Sequence, residues 1–267
     1  MIDLMETLEK VKKLAVEVGA MQRANLGRSD LIVNKKSTDI DLVTEIDKRS
    51  EAMILDFLCR YFPEHAILAE ESGSTERDSD YLWIVDPLDG TTNYSQGLPV
   101  FAVSIALQYK QETVLGVVYA PVTDQLFTAI RGNGAWLNGQ AIAVSAKNEL
   151  GDSVLATGFP YDIASHQDNN VDYFAEIVLK ARAVRRFGAA AYDVACVAAG
   201  KFDGYWELNL QLWDVAAAIL LLEEAGGRVI HFRDDRGVSI IAANKQIGEK
   251  IHAEIRAIDQ KAALATR

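Results

Sequence analysis

The sequence has few cysteines and histidines, and this scarcity removes several kinds of site. Cys59 and Cys196 are its two cysteines and lie far apart, so neither a disulfide framework nor a zinc site is indicated. The four histidines show no metal-ligand spacing, and none stands beside a candidate nucleophile. A Gly-x-Ser-x-Gly elbow and a Walker phosphate loop are also missing. Isolated cysteines suit a reducing compartment, and we expect a cytoplasmic protein.

The sequence also lacks a long apolar run and an excess of basic residues. Its longest strongly apolar run, Val215 to Leu222, has eight residues, whereas a membrane helix needs about 20. The acidic first residues are not typical of a signal or transit peptide. The formal net charge of −11 opposes binding to polyanions, because these bind to basic patches. We therefore expect neither a membrane nor a nucleic-acid partner.

Helix and strand patterns alternate along the 267 residues without a Pro/Gly-rich linker. The predicted elements are helices over residues 4–21, 44–61, 171–182, 189–199, 214–225 and 245–258, and strands over 66–69, 82–85, 101–109, 113–119, 126–130, 154–157, 183–187 and 204–208. This alternation predicts an α/β protein of packed layers. We expect one domain over residues 1–267, with closely joined lobes of about 1–150 and 151–267.

Two carboxylates, Asp86 and Asp89, follow an apolar strand and flank a turn made by Pro87 and Gly90. Buried together they would repel each other and lose hydration. A divalent cation removes both penalties, and Mg²⁺ prefers such oxygen ligands. The amides of Gly90 and Thr91 could also face an anion. The alternative is that both aspartates are ordinary turn formers.

Three further segments favour the metal site. Glu70 directly follows another apolar strand, and Asp214 precedes an apolar helix, where it could also serve merely as an N-cap. Asp41 and Asp47 belong to a third acidic stretch. Asp47 stands three residues after Thr44, so this pair can alternatively be interpreted as a variant capping box.

Together these segments resemble the inositol monophosphatase family of the lithium-sensitive, magnesium-dependent phosphatase superfamily, in its bacterial type. The resemblance covers nearly the whole chain and rests on Trp83–Tyr94, Trp213–Ala218, Asp41–Thr44 with Asp47, Glu70–Ser72 and Gly188–Ala191. It implies a layered α-β-α-β-α sandwich of the inositol monophosphatase and fructose-1,6-bisphosphatase type. Homodimer formation and lithium inhibition are likewise expected from the family.

The resemblance also implies a set of metal ligands. Glu70, Asp86 and the carbonyl of Leu88 would hold one Mg²⁺, whereas Asp86, Asp89 and Asp214 would hold a second. A third ion is expected near Glu70, which gives two or three Mg²⁺ per site. In the family mechanism a metal-activated water attacks phosphorus directly. The catalytic residues implied here are Asp47, Glu70 and Thr91, with the Thr91 hydroxyl, backed by Asp47, orienting the water.

The substrate contacts implied by the resemblance lie around the same turn and in the second half of the chain. They are Leu88, Asp89, Gly90, Thr91, Arg185, Gly188, Ala189, Ala190, Glu207 and Asp214, with Lys36 and Asp41 as further candidates. Ala189 departs from the Ser or Thr of many relatives, so one side-chain contact is in doubt. Glu207 could instead be a surface strand residue, and Lys36 a solvated lysine.

The function expected from this resemblance is Mg²⁺-dependent hydrolysis of myo-inositol monophosphate, or a similar small sugar phosphate, to the alcohol and phosphate. Short connections around residues 72–80 and the presence of Glu207 favour a small monophosphate. Fructose 1,6-bisphosphate, NADP and 3′-phosphoadenosine phosphates are alternative substrates. An alternative of another class is a regulatory protein- or RNA-binding role on a phosphatase scaffold.

Overall fold

The computed structural model of the chain describes residues 2–75 and 77–265. Its helices are α1 Leu4–Asn25, α2 Glu45–Tyr61, α3 Thr91–Ser95, α4 Val171–Ile177, α5 Ala190–Ala198, α6 Leu212–Glu224 and α7 Lys245–Ala265. Its strands are β1 Val33–Lys35, β2 Leu42–Thr44, β3 Ala66–Ala69, β4 Gly73–Ser74, β5 Tyr81–Asp89, β6 Ala102–Tyr109, β7 Glu112–Ala120, β8 Gln125–Ile130, β9 Ala135–Leu137, β10 Gln140–Ala141, β11 Val154–Thr157, β12 Ala183–Arg185, β13 Gly204–Leu210, β14 Arg228–Arg233 and β15 Val238–Ala243.

The strands form a large sheet, a small sheet and a separate hairpin. The eight-stranded sheet has the order β10-β9-β8-β7-β6-β5-β3-β4, in which β3 and β5 run parallel and the other neighbours antiparallel. The five-stranded sheet has the order β12-β11-β13-β15-β14, with β11 parallel to both of its neighbours. The hairpin of β1 and β2 leads directly into α2.

Alternate residues of one strand face different layers, as the pleat of a strand requires. On β5, Trp83 and Val85 belong to the core beneath α1 and α2, whereas Ile84 belongs to the core formed with α5 and α6. The small sheet packs on the other side of α5 and α6. Its outer face, through Trp206 and Ile241, packs against α4 and α7. The layers are helix, sheet, helix, sheet, helix, which confirms the predicted fold class.

Helix ends explain where the structure departs from the sequence prediction. The Thr44 hydroxyl accepts hydrogen bonds from the amides of Ile46 and Asp47, so α2 begins where predicted. By contrast, α6 begins at Leu212 after Gln211, and Asp214 is the third helical residue. The interpretation of Asp214 as an N-cap is therefore wrong.

The strands predicted over 66–69 and 154–157 have the observed bounds, whereas two predicted helices differ from the observed ones by several residues. The helix predicted over 171–182 ends at Ile177, and the helix predicted over 245–258 continues to Ala265. The large sheet draws on residues 66–141 and the small sheet on residues 154–243. One domain with lobes of about 1–150 and 151–267 stays a prediction. Within the described residues, no helix combines the length and apolar character needed to span a membrane.

Candidate active site

A cavity of about 440 Å³ opens where the large and small sheets approach each other. It collects residues from distant parts of the chain, from the β1–β2 hairpin to the start of α6. The predicted site residues that line it are Lys36, Asp41, Glu70, Asp86, Leu88, Asp89, Gly90, Thr91, Gly188, Ala189, Ala190, Glu207 and Asp214. The convergence of these segments is the arrangement on which the metal-site hypothesis depends.

Arg185 is the predicted substrate contact that the structure does not place at the cavity. It ends the three-residue edge strand β12, is exposed, and donates to the Val184 carbonyl at 3.2 Å. Arg186, the next residue, lines the cavity instead. A shift of one residue along an extended chain turns the side chain to the opposite face. Assignment of Arg185 to the site was therefore wrong by one position.

The predicted turn between Asp86 and Asp89 is instead an irregular end of β5, which continues to Asp89 with a register shift between the two aspartates. This strand end is held from both sides. The Asp86 carboxylate accepts the Leu88 amide at 2.9 Å. From behind, the buried Gln22 of α1 donates to the Pro87 carbonyl at 2.7 Å. Gly90 has φ +100°, and a Cβ there would lie 3.0 Å from a backbone carbonyl oxygen. The backbone therefore requires glycine at that position, and Gln22 is a supporting residue that the sequence analysis missed.

Thr91 and Asp47 meet although they are 44 positions apart. The Thr91 hydroxyl donates to one Asp47 oxygen at 2.6 Å, while the other oxygen accepts the Thr44 amide at 3.0 Å. Asp47 is fully buried. Burial raises its pKa, and the bonds from Thr44 and Thr91 counteract part of that rise. Asp47 thus caps α2 and also orients Thr91.

The carboxylates in the cavity destabilise one another's charged forms. Burial, followed by the charge of Glu70, raises the pKa of Asp86 well above its usual value, and Asp89 and Asp214 add to the rise. Burial also raises the pKa of Asp214, although its bond from the Gln211 amide opposes the shift. These effects describe a cluster of buried carboxylates that repel one another.

The start of α5 reduces the cost of burying Asp89. Its carboxylate accepts the Tyr192 amide at 3.1 Å. Burial raises the pKa of Asp89 to about 7, while backbone hydrogen bonds from Tyr192, Ala190 and Ala191 act to lower it. The helix N-terminus therefore supplies fixed positive ends of backbone dipoles to this carboxylate.

Lys36 supplies the nearest full positive charge. Its ammonium donates to Glu70 at 2.7 Å and also to Glu71. Burial alone would lower the pKa of Lys36, but these two carboxylates outweigh it and raise that pKa. The side chain is 21% exposed, so the alternative of a freely solvated lysine is wrong. Asp41 lies at the same rim and accepts the Ser37 hydroxyl at 2.6 Å.

Glu207 lies on β13 and is buried, so the alternative of a surface strand residue is wrong. The Tyr205 hydroxyl donates to its carboxylate. Burial raises the pKa of Glu207 to about 7, although Tyr205 and the charge of Arg186 both act to lower it. A methyl group at Gly158 would overlap the Glu207 carboxylate. Glycine at this position therefore leaves the space that Glu207 occupies.

The segment from Gly158 to Asp162 also lines the cavity and was missed by the sequence analysis. It follows β11, which runs parallel to its neighbour β13. Since parallel strands end at the same edge of a sheet, this position was a usable signal. Although Tyr161 as a whole is about half exposed, partial burial of its phenol, and then the charge of Asp214, raises its pKa.

The donor set fits a hard divalent cation by its chemistry. In the described part of the chain, no three His, Cys, Asp or Glu side chains are grouped closely enough to hold a metal ion as they stand. Nevertheless, carboxylates of Glu70, Asp86, Asp89 and Asp214 and the main chain of Leu88 share one cavity. Oxygen ligands of this kind are those that Mg²⁺ takes. A cation would also relieve the repulsion that adds to burial in raising the pKa values of Asp86, Asp89 and Asp214.

These raised pKa values predict how stability depends on pH without metal. Asp89 and Glu207 have pKa values of about 7 in the folded chain, against about 4 in an unfolded one. The folded state therefore holds more protons between these values, and its stability falls as pH rises through the window. His65 has its pKa lowered by burial, so its contribution to stability rises with pH up to about 6.5. This opposes the fall caused by the carboxylates.

We expect the Tm in EDTA to be lower at pH 8 than at pH 5. Excess Mg²⁺ should remove most of the difference, because the cation replaces protons as the source of positive charge. Thermal unfolding at both pH values, with EDTA and with Mg²⁺, measures this. A Tm in EDTA that rises from pH 5 to pH 8 would contradict the expectation.

Comparison with known proteins agrees with this geometry. The profile of the Inositol monophosphatase family matches residues 3–260. The chain is 45% identical over 206 residues to the Nus factor SuhB of Pasteurella multocida, covering 77% of each protein. It matches the solved inositol monophosphatase of Anabaena with a TM-score of 0.85 and 40% identity, covering 96% of this chain and 97% of that one.

A more distant solved structure is described as an IMPase/NADP phosphatase complexed with NADP and Ca²⁺. It is 26% identical with a TM-score of 0.78, and the match covers 92% of this chain and 95% of that one. Since the family profile spans nearly the whole chain and solved members share its fold, the chain belongs to the inositol monophosphatase family.

Proposed function

We propose that this chain is a Mg²⁺-dependent phosphomonoesterase acting on myo-inositol monophosphate or a similar small sugar phosphate. The observation that carries the proposal is the meeting of Glu70, Asp86, Asp89 and Asp214 with Thr91 in one cavity. When held by these carboxylates and the Leu88 carbonyl, Mg²⁺ would lower the pKa of water from its bulk value of about 15.7 and neutralise charge on the phosphate. Two or three ions, a homodimer and lithium inhibition belong to the same proposal.

Thr91 and Asp47 are the residues that position the attacking water. The Thr91 proton points to Asp47, which leaves lone pairs on the threonine oxygen free to accept a hydrogen bond from water. As the water attacks phosphorus, its proton passes to Thr91 and the threonine proton passes to Asp47. The raised pKa of Asp47 suits it to receive that proton.

The other side of the cavity suits an alcohol with several hydroxyls. Glu207, Asp89 and Asp214 can accept hydroxyl hydrogen bonds, and the amides near Gly188 can donate them. The volume of about 440 Å³ lies toward the lower end of the range for small-molecule sites, about 300–1,000 Å³. A sugar monophosphate is small enough for that space. Ala189 offers no side-chain hydroxyl to the substrate.

Phosphate release from a panel of esters tests the proposal. The panel contains myo-inositol 1-phosphate, fructose 1,6-bisphosphate, NADP and 3′-phosphoadenosine phosphate, each assayed with Mg²⁺ and with EDTA. We expect kcat/KM for the inositol ester to exceed the others by at least about tenfold, equivalent to about 1.4 kcal/mol. Absence of Mg²⁺-dependent release from every ester would refute the proposed enzyme.

Gly158 gives a prediction for the alcohol side of the site. Gly158→Ala should push the Glu207 carboxylate away, because the added methyl would overlap it. Losing one hydrogen bond to a charged group should raise KM for the inositol ester about tenfold. Steady-state kinetics measures this. Gly151→Ala is the control, since the nearest atom to its added methyl is 3.9 Å away; equal effects of both variants would count against the role of Glu207.

The name Nus factor, carried by a relative of high identity, favours a second candidate of a different class. It does not fit the expectation that this chain has no nucleic-acid partner, and that expectation is withdrawn. The second candidate is a regulatory protein- or RNA-binding role on the phosphatase scaffold.

Asp89→Asn separates the two candidates. It should remove phosphatase activity, because Asp89 is a proposed ligand, while leaving the surface of the protein unchanged. Complementation of a deletion strain measures the cellular role. If Asp89→Asn restores that role fully with no phosphatase activity, the enzyme is not the primary function. Failure to complement, with normal protein levels, supports the phosphatase.

A further inference from the structure

The segment Gly158–Asp162 forms one wall of the cavity and is anchored outside it. All five of its residues line the cavity. At its far end, both Asp162 carboxylate oxygens accept hydrogen bonds from the Arg236 guanidinium, at 2.6 and 2.7 Å. Arg236 is 14% exposed and also donates to the Asp168 carbonyl at 3.0 Å. One guanidinium nitrogen contacts both Asp162 oxygens while the other bonds Asp168, so the charge-assisted bonds tie Asp162 to the 168 region.

Two further contacts hold the near end of the segment. The side-chain amide of the buried Asn170 donates a hydrogen bond to the Gly158 carbonyl oxygen at 2.5 Å. Its side-chain oxygen accepts a hydrogen bond from the indole N–H of Trp206 at 2.7 Å. The Phe159 ring packs edge-on against Phe174, with centroids 5.7 Å apart. With both ends held, the backbone at Tyr161 has little freedom to move.

Tyr161 is the residue that this anchored segment presents to the cavity. Its side chain lines the cavity although the residue is 54% exposed. Among the described residues, its hydroxyl has no hydrogen-bond partner, whereas Tyr94, Tyr119, Tyr173 and Tyr205 each donate to one. Asp214 and Glu207 line the same cavity. A half-exposed ring with an unused donor therefore lines the same cavity as the carboxylates assigned to the substrate alcohol.

We propose that Tyr161 determines substrate specificity: its ring covers the alcohol part of the ester, and its hydroxyl donates a hydrogen bond to a hydroxyl of that alcohol. This inference rests on the proposed phosphatase. Tyrosine suits the role, because it combines a flat apolar face with a polar end and has few rotatable bonds. Because the ring lines the cavity, we expect it to favour esters of a polyol ring over bulkier esters of a nucleoside.

The test compares Tyr161→Ala and Tyr161→Phe with the wild-type protein under Mg²⁺. Tyr161→Ala should raise KM for myo-inositol 1-phosphate about tenfold and shift relative kcat/KM toward 3′-phosphoadenosine phosphate. Tyr161→Phe should raise KM by a smaller factor, about two- to tenfold, since it loses the hydrogen bond alone. Inhibition by inorganic phosphate, which has no alcohol part, should stay unchanged in both variants.

Two further variants control for general effects. Tyr61→Ala removes a ring of similar exposure, 51%, that does not line the cavity and should leave KM unchanged. Arg236→Gln should reproduce part of the Tyr161→Ala effect, because it releases the segment, while Arg182→Gln breaks an exposed pair with Asp152 and should not. If Tyr161→Ala fails to fold, Tyr161→Phe supplies the readout.

The outcomes separate failure of this inference from failure of the proposed function. A wild-type protein that releases no phosphate from any ester overturns both. An active wild type, with KM unchanged in Tyr161→Ala and Tyr161→Phe, overturns the role of Tyr161 alone. Weaker inhibition by inorganic phosphate, in proportion to the change in KM, also overturns it, because it would place the defect on the phosphate side.

Discussion

Replacing Asp86 by asparagine is expected to abolish Mg²⁺-dependent phosphate release while making the metal-free protein harder to unfold. Asp86 is 2% exposed, and burial together with Glu70, Asp89 and Asp214 raises its pKa well above the usual value. Asparagine has nearly the same shape without the charge, so the fold loses a repulsion. The same change removes a proposed ligand. Several kcal/mol of transition-state stabilisation would be lost, or about a thousandfold in rate.

Three measurements are needed for Asp86→Asn: phosphate release, Tm in EDTA at pH 8, and the increase in Tm on adding Mg²⁺. We expect the first to fall, the second to rise and the third to disappear. Asp193→Asn is the matched control. Asp193 is 1% exposed, has a raised pKa caused first by burial, and does not line the cavity. Its variant should gain stability and keep the response to Mg²⁺; if Asp86→Asn keeps that response too, Asp86 is not a ligand.

Gly116→Val is expected to destabilise the protein by about 2–4 kcal/mol, because overpacking a close contact forces the backbone to move. Gly116 lies on β7, where a Cβ would be 2.7 Å from the Ala217 carbonyl oxygen and 3.1 Å from the Ala217 Cα. Both obstacles are backbone atoms of α6, so no side-chain rotation can relieve them. Since α6 also carries Asp214, Mg²⁺-dependent activity should fall as well.

Chemical unfolding in urea measures the loss of stability in Gly116→Val. The control is Gly248→Ala in α7, where the added methyl would make ordinary contacts of 3.5 and 3.7 Å. Alanine has the higher helix propensity, so this variant should gain up to about 1 kcal/mol. A Gly116→Val protein as stable as wild type would show that β7 and α6 can separate without cost.

The close spacing of Asp86 and Asp89 at the end of an apolar strand could be predicted because its information is local, although β5 continues to Asp89 with a register shift where a turn was predicted. Two aspartates, a proline and a glycine lie within five positions directly after an apolar stretch. These neighbours indicate both an irregular backbone and its chemistry. The capping of α2 by Thr44 was accessible for the same reason. The joining of these segments into one site was expected from family resemblance, since no local pattern relates Thr91 to Asp47.

Two of the missed residues, Gln22 and Arg236, act through contacts between distant positions. Gln22 reaches Pro87 across 65 positions, and Arg236 reaches Asp162 across 74. Their residue types are common on helices and loops, so nothing in their immediate neighbours distinguishes them. Arg185 and Arg186 show the same limit at short range. The sequence does not tell which of two adjacent arginines faces the cavity until the orientation of the strand is known.

The sequence by itself determined the alternation of helices and strands and the acidic segments at their ends, because periodicity, capping and turn formation are properties of neighbouring residues. Only the tertiary structure decided that Arg186 faces the cavity, that Gln22 supports the end of β5, and that Tyr161 is held at its wall. These outcomes depend on how layers pack and which face of a strand points inward, and both are set by contacts across the whole chain.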